Sequence, residues 1–127
     1  MTNDSLNSEP PLSATELSQM IRATLEEGKA QDIVTVDLRG KTSIADFMII
    51  ASGTSDRHTG GLAHRVMDAL KHRHCSYNKP EGIAEGHWVL VDAKDVIVHI
   101  FKPETRAVYN LEKMWSAPMF GRELATG

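Results

Sequence analysis

The stretch IIASGTSDRH, residues 49–58, has the residue types of a phosphate-binding turn. An apolar run leads into Gly53 and two hydroxyl residues, and a segment able to start a helix follows. Backbone N–H groups at a helix start bind phosphate, and Arg57 would add positive charge. The same residues also suit a plain strand-to-helix turn, in which Ser55 or Asp56 caps the start of the helix, and such turns are common at these junctions. The sequence favours the turn and leaves a nucleotide site as the alternative.

Two further nucleotide signatures are incomplete. RGKTS, residues 39–43, ends like a phosphate loop, but Thr35 stands where that loop requires a glycine, and a strand is predicted after it instead of a helix. A nucleotidyl transferase would need closely spaced carboxylates to hold magnesium. Asp92 and Asp95 flank a predicted hairpin turn, where their side chains need not converge. We therefore expect no nucleotide or metal cofactor.

The six histidines lack the spacing of a zinc motif. His72 and His74 are two residues apart on a predicted helix and point to different sides, while His58 and His64 are separated by about one and two-thirds turns. We interpret the histidines as solvated or partner-facing. Cys75 is the single cysteine, which excludes an internal disulfide, and it is most simply a small buried residue.

Charge is distributed unevenly along the chain. The 127 residues are 41% hydrophobic and 24% charged with a net charge of -3, as expected of one globular domain. The basic residues of the segment 57–79, opposed only by Asp68, are Arg57, Arg65, Lys71, Arg73 and Lys79. The acids of the segment 81–95, opposed only by Lys94, are Glu81, Glu85, Asp92 and Asp95. Each run is either a solvated face or a patch for a charged partner.

Two tryptophans differ in their predicted roles. Trp88 either lies in the core of a sheet or faces outward beside Glu85 and Asp92, where it would anchor an interface. Trp115 shares an apolar helical stripe and is predicted to be core.

The ends of the chain predict two tails and no targeting segment. Residues 1–11 are polar, end in two prolines and lack the basic and apolar regions of a signal peptide. The longest apolar run, FMIIA, is too short to span a bilayer. We expect a flexible tail over 1–11, one domain over 12–117, a second tail over 118–127, and a cytoplasmic protein that does not associate with membranes.

Local patterns predict the elements of an α/β fold. Ser13 and Glu16 have the spacing of a capping box before an amphipathic helix that stops at Gly28. Strands are predicted over 32–38 and 47–51, and a second helix follows the glycine turn. HWVLVDAKDVIVHIF reads as an antiparallel hairpin, with one short strand before it around Cys75 to Tyr77. The predicted last helix starts at Pro103, carries Val108, Leu111 and Trp115 on one stripe and ends at Pro118. This order predicts a mixed β-sheet flanked by helices.

Three segments of the chain form a recognisable combination: GKTSIADFMIIASGTSDRH, the dipeptide EG, and WVLVDAKDVIVHIFKPETRAVYNLEKMW. Together they resemble the Iojap-like family of ribosomal silencing factors, and the resemblance covers roughly residues 13–116. It implies a mixed sheet flanked by helices, similar to a nucleotidyltransferase core without the catalytic carboxylates.

The resemblance implies a binding protein and not an enzyme. Family members dock on the large ribosomal subunit through its fourteenth protein and hinder joining of the small subunit, which damps translation when nutrients are scarce. Organellar relatives are associated with large-subunit assembly, and members are often homodimers. An assembly factor and, less favoured, a nucleotide-dependent enzyme using Gly53, Ser55 and Arg57 stay as alternatives.

The expected partner surface combines acidic and aromatic residues, since ribosomal proteins are usually basic. We predict that Glu85, Trp88, Asp92 and Asp95 form it around the hairpin. His99 and Phe101, further along the hairpin, are weaker candidates because their face is not settled by the sequence. The basic segment is expected to approach ribosomal RNA and to make salt-dependent phosphate contacts.

Overall fold

A computed structural model describes residues 10–110. Their elements are α1 (Ala14–Glu27), β1 (Gln31–Asp37), β2 (Phe47–Ser52), α2 (Asp56–His72), β3 (Trp88–Asp92), β4 (Val96–Phe101) and α3 (Pro103–Tyr109). None of the helices within this range is long and apolar enough to cross a membrane. The predicted tail bounds stay predictions, because most of both tails lies outside the described residues.

The four strands form one mixed sheet in the order β1-β2-β4-β3. β2 and β4 pair in parallel at the centre, and β1 and β3 pair antiparallel to them at the edges. All six residues of β2 are buried, as expected for a strand covered on both faces. The predicted mixed sheet flanked by helices is confirmed.

The first helix forms as its sequence predicts. Ser13 Oγ accepts a hydrogen bond from the backbone N–H of Glu16, and the Glu16 carboxylate accepts one from the N–H of Ser13. This capping box satisfies two N–H groups that have no partner inside the helix. Leu17, Ile21 and Leu25 recur on one side of α1 and are buried.

Apolar side chains cover both faces of the sheet. The larger cluster joins α1 and α2 to one face, and its largest members include Ile21, Leu25, Ile49, Leu62 and Ile100. The cluster on the opposite face consists of Val36, Leu38, Ala45, Met48, Ile50 and Phe101, with Val34, Trp88 and Ile97 half-buried against it. The alternation of side chains along each strand assigns a residue to one face or the other.

Two sequence-based expectations differ from the structure. The short strand predicted around Cys75 to Tyr77 is wrong, since residues 73–80 contain neither helix nor strand. His74 at φ 58° turns the chain out of α2, and only isolated contacts such as the bridge between Glu81 and Leu90 then reach the sheet edge. Cys75 is half-buried against the main core.

The last helix is shorter than predicted. α3 ends at Tyr109, where Asn110 adopts the left-handed conformation with φ 45° and caps the helix with its N–H to the carbonyl of Arg106. Val108 is 77% exposed. Leu111, Trp115 and Pro118, which complete the predicted stripe and stop, lie outside the described residues.

The loop before β3 is fastened to the first turn of α2. Thr59 is fully buried, and its hydroxyl donates a hydrogen bond of 2.7 Å to the carbonyl of Gly86. Gly86 has φ 79°, and a Cβ there would lie 2.8 Å from Cα of Asp56, so only glycine fits this close approach. The loop that carries Glu85 therefore has a defined position beside the helix start.

Two glycines in and near α2 should respond oppositely to alanine. Gly61 is exposed in the middle of the helix, and a Cβ there would meet nothing within 4 Å. Gly61→Ala should raise the free energy of unfolding by about 0.5–1 kcal/mol, because alanine loses less backbone entropy. Gly53→Ala should lower it, since its Cβ would lie 2.7 Å from Cγ2 of Thr59. Urea unfolding measures both, and a Gly61→Ala protein less stable than the native protein would contradict the prediction for that position.

Removal of the Thr59 hydroxyl should weaken the attachment of the loop. Thr59→Val keeps the side-chain volume but takes away the donor to the Gly86 carbonyl, so we expect a loss of about 1–3 kcal/mol in the free energy of unfolding. Thr59→Ser keeps the hydroxyl and serves as the matched control. Equal stability of the valine variant and the native protein in urea unfolding would show that this hydrogen bond is not a determinant of stability.

Candidate partner-binding surface

The glycine turn uses its own polar groups internally. The N–H of Gly53 donates to the carbonyl of Phe101 at 2.9 Å, and the N–H of Thr54 donates to Nδ1 of His58 at 2.9 Å. Ser55 caps α2 by accepting a hydrogen bond from the N–H of His58. In a nucleotide site, these backbone N–H groups would have to point at the phosphate. Here they donate to groups of the protein itself, so the geometry is that of a structural turn.

His58 is a structural residue of this turn. Nδ1 accepts from Thr54, while Nε2 lies 2.9 Å from the carbonyl of Gly28, to which it donates in the neutral tautomer. The imidazole thereby joins the start of α2 to the end of α1. Our interpretation of His58 as solvated or partner-facing is wrong, and the four-residue spacing of Thr54 and His58 across a helix start was the available sequence signal.

The carboxylates of the described chain do not form a metal site. Between residues 10 and 110, no group of three or more His, Cys, Asp or Glu side chains could hold a metal ion. The Asp92 carboxylate accepts hydrogen bonds from Asn78 Nδ2 and from the N–H of Lys94. It shapes the hairpin turn, and Lys94 completes the turn with a hydrogen bond to the Asn78 side chain.

An ion-pair cluster closes the end of the sheet beside the glycine turn. Lys102 Nζ lies 3.2 Å from the Asp56 carboxylate and 3.6 Å from that of Glu104, and His87 Nδ1 lies 3.6 Å from Asp56. The hydrogen bond to Asp56 raises the pKa of Lys102 above its usual value. The cluster links the start of α2 to the residue that follows β4.

Trp88 lies at the margin of the second face of the sheet. It is half-buried, and its ring centroid is 4.9 Å from that of Phe101, its partner residue on β4. Its indole Nε1–H donates a hydrogen bond of 2.9 Å to Nδ1 of His99. Trp88 is therefore neither fully buried nor fully exposed: it packs on the core at β4 and keeps part of its surface accessible, and its role as an interface anchor stays a prediction.

His99 and Phe101 support Trp88 from within the sheet. Phe101 is fully buried, and His99 is only 8% exposed. Burial lowers the pKa of His99 to about 4, which leaves its imidazole neutral at pH 7. The structure thus brings these two candidates together with Trp88: Phe101 lies in the packing beneath it, and His99 is a nearly buried ring beside it.

The predicted acids flank Trp88 along the hairpin. Trp88 and Asp92 point to the same face of β3, about 13 Å apart for four extended residues. Glu85 is exposed in the loop before the strand, and Asp95 is exposed in the turn after it. We call Glu85, Trp88, Asp92 and Asp95 the acidic-aromatic surface; Glu85 and Asp95 stand at its opposite ends.

Two neighbours of this surface were missed by the sequence reasoning. Leu90 is half-buried between Trp88 and Asp92 on the same face of β3, and the alternation of the strand was the signal for it. The N–H groups of Asp46 and Phe47 both donate to the carbonyl of Asp95. These two hydrogen bonds place Asp46 beside the hairpin turn. No local sequence pattern could have predicted this proximity, because Asp46 and Asp95 are far apart in the chain.

The exposed side of α2 carries a basic face. Arg57, His64 and Lys71 are spaced by seven residues, which puts them on one side of the helix, and all three are exposed. Asp68 is the acid of this side. Neither Arg57 nor Lys71 forms an ion pair with another residue of the described range. A row of unpaired cations at helical spacing suits a polyanionic partner.

Comparisons with known proteins agree with the resemblance. The model of the family described as "Ribosomal silencing factor during starvation" matches residues 11–124. The chain is 43% identical to a ribosomal silencing factor of Zymomonas mobilis over 84% of this chain and 78% of that protein. It is 34% identical to the mouse protein named "Mitochondrial assembly of ribosomal large subunit protein 1", over 84% of this chain and 48% of the mouse protein.

A solved structure shares the fold. A crystal structure of a Chromobacterium violaceum protein superposes with a TM-score of 0.81 at 37% sequence identity, covering 84% of this chain and 88% of that one. The mixed sheet, the flanking helices and the sequence match over most of the chain lead to one conclusion: the chain belongs to the ribosomal silencing factor family.

Proposed function

We propose that this protein binds the large ribosomal subunit through its fourteenth protein and sterically blocks joining of the small subunit. Membership of the silencing-factor family supports a ribosome-associated regulator. The observation that carries the finer proposal is the acidic-aromatic surface, in which a half-buried tryptophan lies between exposed carboxylates. Translation is thereby damped in the cytoplasm under nutrient limitation, with no catalytic step.

Charge complementarity supports a basic ribosomal protein as the occupant of this surface. Opposite charges across an interface steer the encounter and exclude wrong partners, while a central aromatic ring supplies most of the affinity. Glu85 and Asp95 stand at the rim of the surface, where solvent limits their contribution to affinity, and Trp88 stands between them. The carboxylates select the partner and the indole ring holds it.

The basic face of α2 suits a second contact, to ribosomal RNA. Arg57 and Lys71 lie about 21 Å apart along the helix, which matches several phosphates of an RNA backbone. Such contacts carry no sequence preference but orient a protein on its site. The RNA contact would fix the orientation in which the bound protein obstructs the small subunit.

A role in large-subunit assembly is the second candidate. The mouse relative carries assembly of the ribosomal large subunit in its name. Binding at the same surface would serve either role, and the two differ in the particle that is bound. Gradient profiles of ribosomal particles after depletion of the protein distinguish them, because only an assembly factor leaves immature large subunits.

A homodimer is proposed for the free protein. A second copy that covered the acidic-aromatic surface would compete with the ribosome, so the dimer would be the inactive form. Analytical ultracentrifugation with and without large subunits tests this. A dimer that persists on the bound subunit would contradict the competition.

Loss of the surface should abolish binding without loss of the fold. Trp88→Ala combined with Asp95→Lys removes the central ring and reverses one rim charge. We expect the dissociation constant for purified large subunits to rise about thirtyfold or more, which corresponds to about 2 kcal/mol for a central aromatic residue. Co-sedimentation measures binding, and circular dichroism checks the fold.

A matched control distinguishes the effect of a charge change at this surface from the effect of a change in the net charge of the protein. Glu27→Lys makes the same charge change on an exposed residue at the end of α1 and should leave binding unchanged. Unchanged co-sedimentation of the Trp88→Ala/Asp95→Lys protein would move the binding site to another surface.

The RNA contact should appear in the salt dependence of binding. Arg57→Gln with Lys71→Gln should reduce the slope of log affinity against log salt concentration by about 1 to 2, because each phosphate contact releases counterions. Gln19→Glu with Gln31→Glu gives the same net charge change at exposed positions away from α2. An equal slope in the two double variants would exclude the basic face from the interface.

A further inference from the structure

The two ring nitrogens of His99 have different surroundings. Nδ1 accepts the hydrogen bond from Trp88 Nε1–H at 2.9 Å. The imidazole stacks on the Phe101 ring with an interplanar angle of 8°, and its centroid lies 5.8 Å from that of Trp88. No residue of the described range accepts a hydrogen bond from Nε2.

The hydrogen bond from Trp88 determines the tautomer of His99. The ring is neutral at pH 7 because burial lowers its pKa to about 4. A neutral imidazole carries one proton, and since Nδ1 acts as the acceptor, that proton is on Nε2. Although the residue is 92% buried, this Nε2–H is not itself closed off from solvent, and it has no acceptor among the described residues, so an acceptor on a partner can reach it.

The position of His99 relates this donor to the acidic-aromatic surface. In the sheet register His99 is paired with Leu90 of β3, and Phe101 is paired with Trp88. His99 therefore shares the face of Trp88, Leu90 and Asp92, one strand inward from the edge strand β3. A group that docks on Trp88 reaches the neighbourhood of His99.

Resting on the proposed function, we propose that His99 is both the positioning residue for Trp88 and a hydrogen-bond donor to the ribosomal protein. Nδ1 holds the indole ring in one orientation, and Nε2–H donates to a neutral oxygen of the partner, such as a main-chain carbonyl. A partner carboxylate is disfavoured because it would approach Glu85 and Asp92.

This arrangement explains how Trp88 acts as an anchor. Its single polar atom is occupied by His99, so the indole presents apolar surface and no unsatisfied N–H. A ring held before binding loses less conformational freedom when the partner arrives. Specificity for an oxygen acceptor then comes from His99, one strand further into the sheet.

The first test uses the native protein. A long-range proton–nitrogen correlation spectrum of the imidazoles at pH 7 should show His99 with an unprotonated Nδ1 and a protonated Nε2, and the Trp88 indole N–H should exchange slowly with water. Assignment comes from the loss of the corresponding signals in His99→Phe and Trp88→Phe. A proton on Nδ1 of His99 would overturn the proposal without any binding measurement.

Three variants separate the two functions of the ring. His99→Asn places an amide oxygen near the position of Nδ1, so it should keep the slow exchange of the Trp88 indole N–H and weaken binding to large subunits about two- to tenfold. His99→Gln places an amide N–H near Nε2 and should give fast indole exchange with weakened binding. His99→Phe lacks both groups and should show the largest loss, and thermal unfolding checks that each variant folds.

Trp88→Ala distinguishes failure of this inference from failure of the proposed function. Weak binding by Trp88→Ala together with native binding by His99→Phe overturns the role of His99 and leaves the acidic-aromatic surface in place. Native binding by Trp88→Ala overturns the proposed function itself. Weak binding by both, with the exchange pattern of the asparagine and glutamine variants as given above, supports the proposal.

Discussion

The parallel pairing of β2 with β4 is the constraint on which the rest of the molecule depends. The pair runs in one register from Phe47 and Val96 to Ser52 and Phe101. Because both strands are central and nearly all of their side chains are buried, a slip by one residue would turn apolar side chains from one face to the other. The same pairing makes the two ends of the sheet different. The starts of β2 and β4 meet the hairpin turn, and their ends meet the glycine turn and α3.

This division of the two ends explains the distribution of candidate functional residues. At the first end, the carbonyl of Asp95 accepts hydrogen bonds from the N–H groups of Asp46 and Phe47 at the start of β2. These bonds place another acidic residue, Asp46, beside the hairpin turn. At the second end, Gly86 packs on the start of α2 and its carbonyl accepts from Thr59. The acidic-aromatic surface extends between the two ends along β3, an edge strand. Its shape thus rests on two tertiary attachments, one on each side of Trp88.

The glycine turn shows how a shape associated with nucleotide binding can lack its chemistry. The turn after β2 leads into a helix start, as in phosphate sites, yet His58 occupies the N–H of Thr54 and reaches across to Gly28. The turn therefore connects the two helices of the main core. The electrostatic features lie elsewhere, with acids along the hairpin and cations along α2, and this separation suits a protein that contacts both a basic protein and RNA.

Local sequence determined the elements and the family of this protein. The capping box at Ser13 and Glu16, the apolar run of β2 and the hairpin are set by neighbours a few residues apart, so pattern and propensity suffice to predict them. The short strand predicted near Cys75 does not form, because a strand exists only where a sheet edge offers it a continuous row of hydrogen-bond partners. Only the tertiary structure decided that Trp88 donates to His99, that His58 reaches Gly28 and that Asp46 adjoins Asp95. Each of these contacts joins residues 11 to 49 positions apart, and the register of packed strands and helices, not any local pattern, sets which residues meet.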